Sequence, residues 1–415
     1  MAIRGFVALV AVALAACSGQ GNASFVPPED RLLVGTTSGV LSLDPTTGSV
    51  LSESPGVPAL GNWAAVYTAA LSEGATVLRG QEAATGNVTS SISLPGELGI
   101  RVVAFDGSKV ALMPPLPEGA SPWIPEPRTR TTIVVADPSG ADDPETYALR
   151  GNFEPEAFSP DGESLYMLTY LPAADPEAYR VVRLDLFDGD VQPVFTNTKS
   201  IVETMSGTRL EQVATSDGST VHTLYTTQPP ADVTAAAAGH AAHSGHSTQP
   251  VAFVHVLDAE NGWAHCVALP RAFWGGDATA EAMAPSPNGR LLYVVDADRD
   301  LVAVMDTRRM QIVQEATVDF GSGDGEVRAT VSSDGASLYV ARGPQITRLD
   351  TATLRPVDTW TTDGSVSGLG VGPDGLYVAQ AEQVDLIDPA TGSEIDSIPS
   401  PGIEGQLEYL GTPGR

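Results

Sequence analysis

Basic residues are scarce in this chain of 415 residues: 22 lysines and arginines stand against 51 acidic residues, for a net charge of −29. A nucleic-acid-binding protein needs a basic face that neutralises phosphates, so this balance argues strongly against that class. It also argues against electrostatic docking on anionic lipid. A surplus of one charge keeps a protein soluble and limits self-association. We therefore expect a protein or small-molecule partner, and no nucleic acid.

Cysteine is also rare, and Cys17 and Cys266 are the two in the chain. The N-terminus reads MAIRGFVALVAVALAACSGQ, in which Arg4 supplies a positive charge and an apolar run follows at 6–13. That run is shorter than the roughly 20 apolar residues of a membrane-spanning helix. It predicts a signal peptide, and no other segment of the sequence approaches the apolar length of a membrane helix.

The tetrad LAAC that ends at Cys17 resembles the lipobox of bacterial lipoproteins, whose signal peptide is cut just before a lipid-modified cysteine. The resemblance implies a signal peptide over 1–16, a lipidated (palmitate-bearing) Cys17 and a flexible tether over 17–30. The alternative is an ordinary secretory signal with a chance cysteine. We expect the mature protein to be anchored to a bacterial membrane in the cell envelope, facing outside the cytoplasm, with Cys266 lacking any disulfide partner.

Helical periodicity is almost absent, and short apolar runs separated by turns recur instead. A turn of the form Ser-x-Asp-Gly precedes several of these runs, because Asp or Asn caps the turn and Gly takes the left-handed position. Clear copies are SPDGESLYML (159–168), TSDGSTVHTLY (215–225), SPNGRLLYVV (286–295), SSDGASLYVA (332–341) and GPDGLYVA (372–379), and weaker ones are SEGATVL (72–78) and FDGSKVAL (105–112). Each turn predicts a hairpin between an inner strand and the next strand outward.

A second signature is an apolar strand that ends in Asp, followed by a Thr-Gly-like turn and another strand. It occurs eight times, for example in VLSLDPTTGSVL, VAVMDTRRMQIV and VDLIDPATGSEIDSI. Two hairpins per unit, repeated at roughly 40 to 50 residues, predict an all-β fold: a single β-propeller of four-stranded blades.

The numbers of the two signatures favour eight blades over 31–411. The first unit has no inner strand of its own, so we expect EGQLEYLG (404–411) to supply it and to close the ring with strands from both chain ends. The second unit spans only 33 positions, from Glu73 to Asp106, and is expected to lack a strand. A seven-bladed ring is the alternative.

The repeat resembles that of the YVTN-type bacterial β-propellers, whose units read roughly SPDG-x-x-LYV…VxVID-x-x-TG. LLYVVDADRDLVAVMDT (291–307) and LYVAQAEQVDLIDPATG (376–392) carry the match best. The resemblance extends over about 31–410. It implies a fold and says almost nothing about an activity.

Long insertions are concentrated between the second and third strands of consecutive units, at 114–130, 171–180 and 227–249. In a propeller these loops share one face with the crossovers between blades, and we call it the long-loop face. Long loops on a rigid scaffold often form a binding surface, although surface loops also tolerate insertions at little cost. The residues that we expect on a binding face are Trp123, Arg128, Arg130, Tyr179, Phe273 and Trp274.

The insertion at 227–249 contains GHAAHSGH, with His240, His243 and His246 spaced three apart. Neutral imidazoles suit Zn²⁺ or Cu²⁺, which makes a metal site one interpretation. A flexible Gly/Ala-rich loop would lose entropy on ordering, which favours weak metal capture or none. No cofactor is required by any other feature.

Motifs for catalysis are missing: there is no G-x-S-x-G, no H-E-x-x-H and no phosphate-cradling glycine loop. The acidic stretches 296–300 and 321–326 fit turn capping better than calcium binding. Cys266 is expected to be an inert thiol in an outer strand. The sequence thus favours a binding or interaction scaffold without catalysis. The alternatives are a metal-binding lipoprotein, and a propeller hydrolase or oxidoreductase with a site in the axial funnel.

Overall fold

The computed structural model describes residues 31–410, apart from 37–38, 46, 55, 59–64, 84, 118–125, 198–201, 216–217, 227–251, 275–277, 324–325 and 400–402. These residues form eight antiparallel sheets of four strands each, and two short 3₁₀ helices at Arg271–Phe273 and Ala278–Ala280. For most neighbouring blades, the innermost strands contact each other around the axis. This is an eight-bladed β-propeller, as the sequence predicts.

The strands of blades 1 to 4 follow one another along the chain, except for the innermost strand of blade 1. Blade 1 contains β1 (Arg31–Thr36), β2 (Gly39–Leu43) and β3 (Val50–Ser54), and blade 2 contains β4 (Val57–Pro58), β5 (Ala65–Ser72), β6 (Ala75–Glu82) and β7 (Val88–Pro95). Blade 3 contains β8 (Gly99–Val103), β9 (Val110–Met113), β10 (Arg130–Ala136) and β11 (Glu145–Arg150), and blade 4 contains β12 (Asn152–Phe158), β13 (Ser164–Leu171), β14 (Ala178–Asp185) and β15 (Val191–Pro193).

Blades 5 to 8 have the same order, from the innermost strand outward. Blade 5 contains β16 (Thr208–Ala214), β17 (Thr220–Thr226), β18 (Phe253–Asp258) and β19 (Trp263–Ala268), and blade 6 contains β20 (Glu281–Pro285), β21 (Leu291–Asp296), β22 (Leu301–Asp306) and β23 (Gln311–Thr317). Blade 7 contains β24 (Arg328–Val331), β25 (Ser337–Arg342), β26 (Gln345–Asp350) and β27 (Pro356–Thr361), and blade 8 contains β28 (Gly368–Gly372), β29 (Gly375–Ala379), β30 (Gln383–Ile387) and β31 (Glu394–Pro399). The last strand is β32 (Ile403–Leu410).

The ring closes by joining the two ends of the described chain in one blade. β32 pairs antiparallel with β1 and becomes the innermost strand of blade 1, with Leu32 opposite Tyr409. It also contacts β28 of blade 8. The predicted closure is therefore confirmed, and blade 1 depends on residues up to 379 positions apart in the sequence, Arg31 and Leu410.

Blade 2 corrects two expectations. It has four strands, although its innermost strand, β4, consists of only two residues. The turn after Ser72 joins β5 to β6, the second and third strands, whereas the sequence assigned it to the first and second. The error arose because a short Glu-Gly turn forms a tight hairpin wherever two strands meet, so its sequence does not reveal the radial position of those strands.

The Ser-x-Asp-Gly turns are held by their own side chains. Ser159 Oγ accepts a hydrogen bond from the backbone N–H of Ser164 at 2.9 Å, and Asp161 Oδ1 accepts one from the N–H of Glu163 at 3.0 Å. The side-chain bond from Ser159 to Asp161 is the largest reason why the pKa of that carboxyl is lowered. Gly162 has a φ of 69°, the left-handed conformation that the motif predicts.

The core consists of layers between neighbouring blades, because the middle strands are buried on both faces. On β21, Tyr293 and Val295 pack toward blade 7, and Leu292 and Val294 pack toward blade 5. Such strands show continuous apolar runs with no polar alternation. This explains why segments such as LLYVV are almost entirely apolar.

Substituting Gly392 tests how tightly the outer turns pack between blades. Gly392 has a φ of 71° in the turn between β30 and β31, and a Cβ atom there would lie 2.2 Å from Cδ1 of Trp360 in blade 7. We expect Gly392→Ala to lower the free energy of unfolding by about 2–5 kcal/mol, combining the left-handed backbone cost with displacement of the indole. Gly74→Ala is the matched control, since Gly74 has a φ of 83° with no atom within 4 Å of the added Cβ. It should cost about 1–2 kcal/mol, and equal losses in urea denaturation would contradict the packing account.

Candidate functional site

A small pocket lies between blades 4 and 5 and has a volume of about 80 Å³. Its lining comes from the loop between β13 and β14, from the crossover between the two blades, and from strands of both blades. The lining residues are Tyr170, Pro176, Glu177, Ala178, Tyr179, Gly207, Arg209 and Tyr225. Because that loop and that crossover belong to the long-loop face, the pocket lies at this face. We call it the tyrosine pocket.

Strand register brings the three tyrosines together. Tyr170 on β13 lies directly opposite Tyr179 on β14, and Arg209 on β16 lies directly opposite Tyr225 on β17. The ring centroids of Tyr170 and Tyr179 are 5.9 Å apart in an edge-on arrangement, and those of Tyr179 and Tyr225 are 5.1 Å apart. Phe253 stacks on the far side of Tyr225 at 5.3 Å. The pocket wall is thus a continuous aromatic surface shared by two blades.

Two of these phenol groups are buried without a hydrogen-bond partner. Tyr179 is 3% exposed and Tyr225 is 1% exposed, and neither hydroxyl bonds to any residue that the structure describes. Burial raises the pKa of both phenols well above the ordinary value, so both stay protonated at neutral pH. A buried hydroxyl without a partner costs on the order of 1–3 kcal/mol. Such groups in a native fold are expected to serve a bound molecule or ordered water.

A buried carboxyl lies behind the tyrosines. Glu156 is the extra residue of a β-bulge in β12, and a bulge of this kind redirects a side chain. Its Oε1 accepts long bonds of 3.4 Å from Thr223 Oγ1 and from Gln212 Nε2, and Arg209 Nη2 donates to Gln212 Oε1 at 2.7 Å. Its Oε2 has no partner among the described residues. Burial raises the pKa of Glu156, so its acid form is favoured relative to an exposed glutamate.

Charged residues also line the innermost strands next to this pocket. Glu154 forms ion pairs with Arg101 at 3.3 Å and with Arg128 at 2.6 Å. Glu211 on β16 accepts a short hydrogen bond from the backbone N–H of Met283 on β20, which joins blades 5 and 6. Burial raises the pKa of Glu211 to about 7. These residues form ion pairs and hydrogen bonds between neighbouring blades. Such bonds offset part of the cost of burying charged groups near the axis.

Two histidines of blade 5 are buried within strands. His255 is 1% exposed and His222 is 2% exposed, and burial lowers the pKa of His255 to about 3 and that of His222 to about 4. His255 Nδ1 lies 3.7 Å from Sγ of Cys266. Burial raises the pKa of the Cys266 thiol well above its ordinary value, so the thiol stays protonated, as an inert thiol should.

Metal ligands do not cluster in the part of the chain that the structure describes: no group of three or more His, Cys, Asp or Glu side chains is placed to hold an ion. His240, His243 and His246 lie outside the described residues, and so does Cys17. The metal interpretation of the histidine loop therefore stays a prediction of the sequence.

Two of the residues expected on a binding face are buried. Tyr179 is 3% exposed and lines the tyrosine pocket, and Phe273 is 1% exposed in the core between blades 5 and 6. Trp274 is partly buried and donates from Nε1 to the carbonyl of Leu269 at 3.1 Å. These side chains contribute to packing or to the pocket wall, and not to an open surface.

Arg128 and Arg130, which are also expected on a binding face, lie just before and at the start of β10. Arg130 begins β10 and is exposed, whereas Arg128 pairs with Glu154 and donates from its backbone N–H to the carbonyl of Ala173 at 3.1 Å. That bond ties the long loop of blade 3 to the loop of blade 4. Trp123 lies outside the described residues.

Sequence reasoning missed Glu156, Arg209, Tyr170 and Tyr225. They come from four different strands, and only folding brings them together. A signal was nonetheless present: FEPEAFSPDG and RLEQVATSDG place charged residues in innermost strands, just before the Ser-x-Asp-Gly-type turn. Charged side chains are costly to bury on an innermost strand. Where they occur, they usually form part of a binding site or of an ion pair between blades.

Comparisons with known proteins show the fold alone. A scan against protein-family models gives no match, and a search of curated proteins gives none. Among solved structures, apo AztD from Citrobacter koseri is similar with a TM-score of 0.55 at 11% identity, over 94% of this chain and 100% of that one. The dihydro-heme d1 dehydrogenase NirN in complex with DHE is similar with a TM-score of 0.51 at 13% identity, over 92% of this chain and 76% of that one.

The fold and these likenesses place the chain in the class of β-propellers, with eight blades. Its distinguishing feature within the described residues is the polar, aromatic pocket between blades 4 and 5. No helix among those residues has the length and apolar character needed to cross a membrane. The resemblances to YVTN repeats and to a lipobox remain predictions of the sequence.

Proposed function

We propose that this protein is a lipid-anchored binding protein of the bacterial envelope, without catalysis of its own, that receives a small ligand in the tyrosine pocket. The observation that carries the proposal is the pair of buried, unpartnered hydroxyls of Tyr179 and Tyr225 beside the unpartnered Oε2 of Glu156. Concave pockets with aromatic walls and a few convergent polar groups are a usual form of small-molecule sites.

The position of the pocket supports this proposal. The loop that forms one side of it, at 172–177, lies on the long-loop face, and the insertion 227–249 follows directly after Tyr225 and Thr226 in the chain. Backbone and side-chain bonds hold the neighbouring loops: Asn152 Nδ2 donates to the carbonyl of Glu126 at 2.9 Å. A rigid rim around a polar pocket favours binding because little order has to be imposed on the site.

A thermal-unfolding screen with a chemically diverse library of small molecules tests the proposal. A ligand that binds only the folded state adds RT ln(1 + [L]/Kd) to the free energy of unfolding, so the melting temperature rises with ligand concentration. We expect compounds that stabilise the wild type to lose most of their effect on the double variant Tyr179→Phe, Tyr225→Phe. Tyr339→Phe, a buried tyrosine of blade 7, is the matched control and should respond like the wild type. Stabilisation that is the same in all three proteins would place binding elsewhere and contradict the proposal.

A second candidate function is capture of Zn²⁺ or Cu²⁺ by His240, His243 and His246. It rests on the histidine spacing, because three imidazoles in one loop can bind either ion. Calorimetry with each ion tests it: micromolar or tighter affinity that is lost when all three are changed to Ala supports a metal site. Weaker affinity, or affinity that the substitutions leave unchanged, rejects it.

The lipid anchor is a separate part of the proposal. If Cys17 is lipidated, a palmitate analogue fed to the cells should label the wild-type protein and should not label Cys17→Ala. The variant should also be absent from the membrane fraction. A labelled Cys17→Ala variant, or an unlabelled wild type, would contradict the lipid anchor. Neither result would affect the proposal that the tyrosine pocket binds a ligand.

A further inference from the structure

We propose that the tyrosine pocket binds the carboxylate group of a small organic acid, with the guanidinium of Arg209 and the hydroxyls of Tyr179 and Tyr225 as its donors. The inference rests on the proposed function and names the class of ligand. It goes beyond that function because a pocket with the same wall could accept a cation or a neutral polar molecule.

The donor chemistry of the wall favours an anion. Arg209 lines the pocket and carries a permanent positive charge in a planar fork that matches a carboxylate. Tyr179 and Tyr225 are protonated at neutral pH, and a protonated phenol donates to an oxyanion. Neither hydroxyl has another acceptor among the described residues. A carboxylate only accepts hydrogen bonds, so its oxygens suit both hydroxyls, and its charge complements that of the guanidinium.

The nearby carboxyl of Glu156 does not oppose this arrangement. Gln212 stands between the two groups, since its Oε1 accepts from Arg209 Nη2 and its Nε2 donates to Glu156 Oε1. Glu156 is also fully buried, which favours its uncharged form. The side of the pocket near Glu156 is therefore polar, and the raised pKa of this carboxyl weakens its opposition to a bound anion relative to an exposed glutamate.

The size of the pocket and the acidic residue on its loop side restrict the class of ligand further. A site for one water needs about 10–15 Å³, so the pocket of about 80 Å³ holds roughly five to eight such volumes. A molecule with about that many non-hydrogen atoms fits, with its apolar part against the tyrosine rings. Glu177 lines the loop side of the pocket, and its acidic group disfavours a second carboxylate there. A monocarboxylate is the occupant that these features fit.

Calorimetry at constant ionic strength tests the inference with propionate, butyrate and 2-hydroxybutyrate as probes, and with butyramide, butylamine and succinate for comparison. We expect at least one monocarboxylate to bind with a Kd of about 1 mM or tighter, and the amide, the amine and succinate to bind at least about tenfold more weakly. Arg209→Gln should weaken the best monocarboxylate by about 10- to 100-fold, and Tyr225→Phe by about tenfold. Tyr339→Phe should bind it like the wild type.

Arg209→Lys provides a second variant in case Arg209→Gln does not fold, because it retains the charge and removes the planar fork. It should weaken the monocarboxylate by about tenfold. Preference for butyramide or butylamine, with the same sensitivity to Tyr225→Phe, overturns the carboxylate class and leaves the pocket as a binding site. No binding of any monocarboxylate, or binding that neither Tyr225→Phe nor Arg209→Lys changes, also overturns the inference. The library screen then decides separately whether the pocket binds another class.

Discussion

Deletion of residues 403–415 should abolish cooperative folding, because it removes β32, the innermost strand of blade 1. That strand pairs along β1 from Arg31 to Thr36 and contacts β28 of blade 8, so the ring opens on both sides without it. The free edge of β1 would also be open to pairing with other chains. The loss should exceed about 5 kcal/mol, a large share of the total stability of a typical domain. Thermal unfolding followed by near-ultraviolet circular dichroism measures it.

Deletion of 411–415 alone is the matched control and should unfold like the full chain. A synthetic peptide with the sequence of 403–410, added to the truncated chain, should restore a cooperative transition in proportion to its concentration. An unchanged melting temperature for the chain that ends at 402 would show that β32 is dispensable, as it would be in a ring closed by seven blades. That result would contradict the topology.

Replacing His255 and His222 by leucine should make the protein markedly more tolerant of acid. Burial holds the pKa of His255 near 3 and that of His222 near 4 in the folded protein, below the ordinary value of 6.5. Below pH 6.5 the unfolded chain therefore binds protons that the folded chain cannot, and stability is lost as pH falls. Linkage gives about 1.4 kcal/mol per histidine for each pH unit, so the double variant should gain about 4 kcal/mol over the wild type between pH 7.5 and pH 5.

Glu211 should change the free energy of unfolding with pH in the opposite direction to the two histidines. Its pKa is raised to about 7 in the folded protein, so its contribution is present below about pH 4.5 and is lost as pH rises through 7. Glu211→Gln, which can still accept from Met283, should match the wild type near pH 4.5 and be about 1–3 kcal/mol more stable at pH 8. Urea denaturation across pH 4.5–8 measures both effects. Parallel pH profiles for the wild type and the histidine double variant would contradict the burial of the two rings.

The sequence predicts the blades well because their signals are local. The turn at 159–162 depends on Ser159 and Asp161 bonding to backbone groups two to five residues away, so the motif itself encodes the hairpin. Ring closure was also predictable, because one unit lacked an inner strand and the C-terminal end offered one. β4 was missed because two residues at the innermost position give no periodicity to recognise.

The site was not predictable in the same way. The residues around the tyrosine pocket are separated by up to 69 positions, from Glu156 to Tyr225, and they meet only through the packing of blade 4 on blade 5. Tyr179 is expected on a binding face because it lies in the insertion at 171–180. The sequence does not show that its backbone pairs with Met205 and that its ring lies beside Tyr225. Sequence position indicates the loop, but which side of a strand faces the next blade depends on register and on bulges such as the one at Glu156.

A crystal structure of the protein soaked with butyrate is the most direct test of the central claim, that the tyrosine pocket is a ligand site. The account predicts electron density for a carboxylate within about 2.6–3.2 Å of the guanidinium of Arg209 and of the hydroxyls of Tyr179 and Tyr225. Density for the same group in the wild type but not in Tyr225→Phe would strengthen it. Ordered water alone on both hydroxyls, at butyrate concentrations that saturate the calorimetric signal, would contradict it.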